Sequence, residues 1–373
     1  MRALDLTREL MRFDTILGSG DERPCARHLG AVLERCGFSI AYDDFEDRRT
    51  NLVARIGGAA ERPPLCFTGH LDVVPLGAKP WRCDPFEGEI QDGRLYGRGS
   101  SDMKSGVAAF VVAACDLAKH LRGTAGLVLV ITGGEETGLE GARFLAAHPD
   151  SLGKAGAIVV AEPTSNRPFA GHRGVLWLRT RARGVTAHGS MPEHGVNAIY
   201  KAARAVTKLE SYRFPDPPHP ILGAATLNVG TIQGGLNVNS VPDAAEFTLD
   251  IRTLPAQRAG AVRDDIARLL GDEVEIEIVA DQNGLWTDPG DPWFAEVIVI
   301  AERVAGPGAR SVGAMAYATD GAILKPAMGD APTVILGPGE AAMAHQTDEY
   351  CVIDRIDEAV EIYLEIARRY LGI

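Results

Sequence analysis

Apolar and polar positions follow two rhythms along the chain. Between residues 5 and 175, segments 5–13 and 24–36 repeat apolar residues at helical spacing, and Gly37 stands where a helix stop belongs. Apolar or β-branched runs at 51–56, 65–68, 126–132 and 157–161 predict strands, with helices at 105–121 and 139–147 between the later ones. Strands separated by helices imply a mostly parallel sheet covered by helices on both faces.

Near residue 176 the rhythm changes. Strand 176–183, helix 196–211, strands 225–231 and 244–252, helix 256–270 and strand 274–279 spell β-α-β-β-α-β, the ferredoxin-like plan. The proline-rich piece PDPPHP at 215–220 reads as a loop inside this unit. Longer helical patterns return at 293–304 and 353–370, around a strand at 333–336. The expected organisation is one α/β domain built from 1–175 and 282–373, with 176–281 inserted in it.

Composition narrows the class. With 373 residues, 46% of them hydrophobic and 24% charged, the chain can bury a large core. Its apolar stretches, such as 106–115 and 126–131, are far shorter than the roughly 20 residues needed to cross a bilayer. The opening MRALDLTRELMRF lacks the apolar segment and cleavage site of a secretory signal, so a cytoplasmic location is expected. Six scattered cysteines without a Cys-x-x-Cys pair suggest reduced, buried thiols and neither a disulfide framework nor a zinc cage. A net charge of −12 and no basic cluster argue against nucleic acid.

Candidate chemistry gathers at predicted strand ends. GHLDVVP places His70 and Asp72 after strand 65–68, ITGGEETG places Glu135 and Glu136 after 126–132, and AEPT places Glu162 after 157–161. In an open parallel sheet, the crevice outside the carboxyl ends of the strands is where ligands bind. YGRGSSDMKSG sets Asp102 at a helix start, where an N-cap is the plain alternative. ILGPGEAAMAHQTDEY sets His345 in a polar loop, where solvation is the plain alternative. Together these make an inventory of two histidines and several carboxylates suited to two borderline metal ions. Alone, a His-x-Asp pair such as His70/Asp72 is more often a hydrogen-bonded structural pair than a metal ligand with its orienting carboxylate.

The segments GHLDVVP, GRGSSDMKSG, TGGEETG, AEPT, TAHGSMPEHGVNAI, GGLNVNSVPD, DIRTLP and GPGEAAMAHQTDEY, in that order over nearly the whole chain, resemble the dinuclear metallohydrolases of peptidase family M20. Within the family they are most similar to the acetylornithine deacetylase and succinyl-diaminopimelate desuccinylase branch. The resemblance implies a zinc-peptidase-like catalytic domain with a mostly parallel mixed sheet, and an inserted lid and dimerisation domain.

It also implies two divalent metal ions, Zn2+ with Co2+ or Mn2+ as alternatives, and hydrolysis of an N-acyl amino acid or short peptide by a homodimer. Asp102 would bridge the ions, with His70 and Glu162 on one and Glu136 and His345 on the other. Asp72 would orient His70, and Glu135 would act as general base. His188 would cross from the partner subunit to the oxyanion. Arg252, Asn239 and Arg173 would hold a substrate carboxylate or orient the lid. Each of these has a structural alternative: a turn histidine for His188, a surface ion pair for Arg252, a turn for Asn239, a hinge border for Arg173. A carboxypeptidase or dipeptidase of the same fold, and a non-catalytic binding protein, are the competing readings.

Overall fold

The computed structural model describes residues 1–58, 61–310 and 312–373. The chain forms two compact units, one of Met1–Gly171, Trp286–Met315 and Thr319–Ile373, the other of His172–Leu285 and Ala316–Ala318.

In the first unit, helices Ala3–Met11 and Glu22–Arg35 precede the antiparallel pair β1 (Ser39–Glu46) and β2 (Arg49–Ile56). Then come β3 (Leu65–His70), the short hairpin β4 (Glu89–Gln91) and β5 (Arg94–Tyr96), helix Lys104–Leu117 and β6 (Leu127–Thr132). Helix Glu140–Ala147, β7 (Ala157–Val160) and β8 (Phe169–His172) complete this half. The second unit holds β9 (Gly174–Arg183), helix Ala198–Glu210, β10 (Thr226–Gly234), β11 (Ala244–Thr253), helix Ala259–Leu270 and β12 (Val274–Gln282). The chain then adds β13 (Leu285–Trp286), helix Pro292–Ala305, β14 (Gly313–Met315), helix Gly321–Ala327, β15 (Thr333–Ile335), β16 (Tyr350–Val352) and helix Ile353–Leu371.

The large sheet runs β1-β2-β6-β3-β7-β15-β8-β13, with β14 pairing β8. Its centre, β6-β3-β7-β15, is parallel, whereas β2 on β6 and β8 on β15 are antiparallel. The central strands are buried at every position because both faces are covered, which is why they read as unbroken apolar runs. Helix Lys104–Leu117 is apolar nearly all round and buries twelve of its fourteen residues. Phe67 of β3 meets Phe110 of that helix and Tyr363 of helix Ile353–Leu371, at ring centroid distances of 6.0 and 5.4 Å.

The four-stranded sheet of the second unit runs β10-β11-β9-β12. Every second residue of β11 is buried, so one face packs on the two helices through Phe247, Leu249 and Ile251. Its other face carries an Arg179, Arg181, Glu246 and Glu277 ion-pair ladder open to solvent.

Two expectations are corrected. β3 extends through His70, so that histidine ends the strand instead of following it. Cys36 and Cys115 are disulfide-bonded across 79 residues, because helix Glu22–Arg35 ends beside helix Lys104–Leu117 with the two Cα atoms 5.3 Å apart. Only packing of two helices distant in sequence creates that approach. Cys25, Cys66 and Cys351 are free and buried.

Candidate metal centre

Parallel strands deliver the site. His70 is the last residue of β3 and stands in register with Thr132, the last of β6. Glu135 and Glu136 follow on the turn after β6, and Glu162 follows β7 by two residues. Asp102 comes from the loop between β5 and helix Lys104–Leu117, and His345 from the loop before β16, where it adopts a φ of 63°.

Asp102 lies between the two histidines. Its Oδ1 is 3.3 Å from His70 Nε2, and its Oδ2 is 3.7 Å from His345 Nε2. Glu162 Oε1 lies 3.8 Å from His70 Nε2, and Glu136 Oε2 lies 2.9 Å from His345 Nε2. Ligand atoms of His70, Asp102 and Glu162 thus converge within 4.8 Å, as do those of Asp102, Glu136 and His345, and those of His70, Glu135 and Glu136. Asp102 does not serve as the N-cap. Met103 occupies that position without a side-chain cap bond, and the buried Asp102 Oδ1 has no hydrogen-bond partner.

Around the cluster, hydrogen bonds set orientation. His70 Nδ1 donates to the main-chain carbonyl of Asp72 at 2.9 Å, which leaves Nε2 facing the acids. The Asp72 carboxylate stands 3.6 Å from Nδ1, too far for that bond, and accepts instead the backbone N–H of Glu135 at 3.1 Å and of Glu136 at 3.0 Å. The tautomer of His70 is therefore fixed by a carbonyl, while the Asp72 carboxylate shapes the glutamate turn.

Burial and mutual repulsion dominate the electrostatics of the cluster. Burial, then the neighbouring Glu162, Asp320 and Glu136 carboxylates, push the Glu135 pKa well above the glutamate range against the pull of His70. Burial and Asp102 do the same to Glu162. Burial opposes charge on His70, but Asp102 and Asp72 outweigh it and raise its pKa well above the usual value. So many crowded acids, with Asp102 turning one oxygen to each imidazole and its Oδ1 left without a hydrogen bond, fit bound divalent cations.

Several contributors were not legible. Glu22, buried on helix Glu22–Arg35, accepts the Gly134 N–H at 3.2 Å, and burial with the nearby Asp72 pushes its pKa up to about 8. Asp320 accepts the Thr132 hydroxyl at 2.5 Å, keeps a second buried oxygen without a hydrogen bond, and is raised to about 6 by burial. Neither residue stands in the motifs that mark the ligand set, and each comes to the site from a helix start, Glu22 in the first turn of its helix and Asp320 just before Gly321–Ala327.

The remaining candidates lie in the second unit. His188 is exposed, and its Nδ1 accepts the Ser190 backbone N–H at 3.2 Å and contacts Ser190 Oγ at 2.7 Å, which leaves Nε2 to donate. Asn239 is brought beside it: Gly189 N donates to Asn239 O at 2.7 Å, and His188 bridges Ser240. Arg252 is paired within its own strand to Asp250 at 3.0 Å, and Arg173 Nη1 donates to Ala224 O at 3.1 Å.

Residues 66–369 match the family profile described as Peptidase family M20/M25/M40. The chain belongs to this family. Among curated M20-type relatives, it is 31% identical to a probable succinyl-diaminopimelate desuccinylase of Staphylococcus epidermidis, over 87% of each chain. It is 32% identical to an acetylornithine deacetylase of Proteus mirabilis, over 91% of this chain and 86% of that one. Its fold matches aminopeptidase PepT from Bacillus cereus with a TM-score of 0.80 at 22% identity, covering 99% and 98% of the two chains. It also matches the Bacillus subtilis YXEP protein, described as a dinuclear metal binding M20 peptidase, with a TM-score of 0.73 at 16% identity over 99% and 98%. As an M20 member with clustered ligands, the chain is a hydrolase of amide bonds. Among the described residues, no helix is long and apolar enough to cross a membrane.

Proposed function

We propose that this protein removes the N-acyl group from an amino acid or a related carboxylate-bearing substrate, using two divalent ions of which Zn2+ is the first candidate. The observation that carries the reading is Asp102, with one oxygen toward His70 and Glu162 and the other toward His345 and Glu136. Bound there, the pair of ions would supply Lewis acidity for the amide carbonyl and a lowered pKa for water. Glu135 takes the proton of that water and returns it to the leaving nitrogen, a duty suited to a buried carboxyl whose pKa lies above the usual range. His188, with Nε2 free to donate, stabilises the oxyanion. Arg252 and Asn239 hold the substrate from opposite ends of the second unit, and Arg173 borders the end that carries Arg252.

A homodimer belongs to this reading. In the second unit Arg252 pairs with Val175 at the start of β9, while the ladder continues past Arg183 to the His188–Ser240 bridge. Eight residues of β9 already separate the two ends by about 26 Å at 3.3 Å per residue. That backbone separation is long beside an N-acyl amino acid and favours a site to which two copies contribute, His188 from one and Arg252 from the other. β10 is an edge strand, and Ile232, Leu236, Val238 and Tyr200 are exposed at 54%, 95%, 101% and 65%. We place that apolar surface at the dimer contact.

The test is a side-by-side assay of N-acetylornithine, N-succinyl-diaminopimelate, other N-acyl amino acids and simple dipeptides on protein loaded separately with Zn2+, Co2+ and Mn2+. Faster turnover of N-acyl amino acids supports the reading, whereas preference for dipeptides moves the assignment to a peptidase. A cytoplasmic site of action accompanies the proposal. Because the Cys36–Cys115 bond is more usual in oxidising compartments, cell fractionation is the deciding measurement.

A further inference from the structure

A buried ion pair outside the ligand set ties together three segments of the metal centre. Arg98 Nη1 donates to Glu349 Oε2 at 2.7 Å, with the two side chains 1% and 0% exposed. The same oxygen accepts the Gly99 N–H at 3.0 Å, while Oε1 accepts the N–H groups of Ser101 at 2.7 Å and Asp102 at 2.9 Å. One carboxylate therefore takes four donors, three of them backbone amides that end at Asp102. From its other arm, Arg98 Nη2 donates to Pro75 O at 3.1 Å, in the segment that starts at His70. The guanidinium also lies 5.1 Å from the centre of the Trp81 ring.

The surroundings extend the same tie. Gly97 N donates to Glu349 O at 2.9 Å, Ser101 Oγ donates to Tyr350 O at 2.9 Å, and β16 pairs antiparallel with β5. Glu349 follows His345 by only four residues, so one group relates the loop of His345 to the loop of Asp102. A buried ion pair can often be replaced by apolar side chains at little cost in stability. That replacement fails here, because it would leave the amides of residues 99, 101 and 102 buried without an acceptor.

We propose that Arg98 and Glu349 are positioning residues that fix the direction of Asp102 toward both ions and the separation of Asp102 from His345, and so set metal affinity and coordination geometry without touching substrate. This rests on the dinuclear reading above. Residues that orient metal ligands characteristically alter affinity about 10- to 100-fold when replaced.

The experiment uses the full chain stripped of metal and titrated with Co2+, read by calorimetry and by visible d–d absorption, for the parent, Glu349→Gln and Arg98→Lys. Both variants should weaken Co2+ binding by about 10- to 100-fold and change the d–d spectrum. With saturating metal, kcat should fall while KM holds. Parental spectra and affinities within about threefold in variants that are folded by circular dichroism overturn the proposal, since a purely structural pair would lower only thermal stability. If Glu349→Gln does not fold, Arg98→Lys decides by the same readings. A parent that takes up no Co2+ removes the dinuclear reading, and this proposal with it.

Discussion

Glu135 and Glu136 are adjacent, yet they meet different neighbours because they sit on a turn whose amides are both held by the Asp72 carboxylate. Glu135→Gln should keep both ions, measured by metal analysis, while kcat drops about 10²- to 10⁴-fold, the usual worth of a general base. Retained turnover would remove the assignment. At His172 the sequence offered no warning. It is fully buried, and burial lowers its pKa from 6.5 to about 4 despite a hydrogen bond to Arg173 O. A histidine depressed in the fold stabilises above its unfolded pKa and destabilises as pH falls from 6.5 toward 4. Two and a half units correspond to about 3 kcal/mol. Denaturant unfolding of His172→Asn should show a smaller loss of stability than the parent between neutral pH and about pH 4.5; parallel curves would contradict the linkage.

Among the elements, helix Lys104–Leu117 places the site most directly. Gly106 lies in its first turn, and a Cβ there would clash with the Ala161 carbonyl, one residue before Glu162. Gly106→Ala should therefore push the Asp102 loop and the Glu162 turn apart and cost about 1–3 kcal/mol, the range for overpacking. Thermal unfolding checks this, and an unchanged melting temperature would refute it. Strands β3, β6 and β7 were legible because full burial leaves an apolar run between polar turns. The pairing of β5 with β16 was not, because three-residue strands carry no periodicity and their partners lie some 250 residues apart.

For the whole molecule, the proposal of a shared site makes a quantitative expectation. Glu135→Gln and His188→Ala should each be inactive alone. Co-expressed in equal amounts, half of the dimers are mixed and each holds one intact site, so about one quarter of parental activity should return. No recovery above either variant, in a sample shown to be dimeric by ultracentrifugation, would reject a crossing histidine. The same Arg252-to-His188 separation along β9 that motivates this test could not have been inferred from sequence, where the two residues are only marks in separate motifs.

The residue types of the metal set, their order and their attachment to strand ends were determined by the sequence, because buried parallel strands and ligand-bearing turns leave local patterns. Tertiary structure alone decided how the set is held. The Asp72 carboxylate holds the amides of the glutamate turn as well as facing His70, Glu349 gathers the amides before Asp102, and Cys36 meets Cys115. Each of these depends on a distance across the packed fold, and a buried donor takes whichever acceptor packing brings within reach, however far away it lies in the chain.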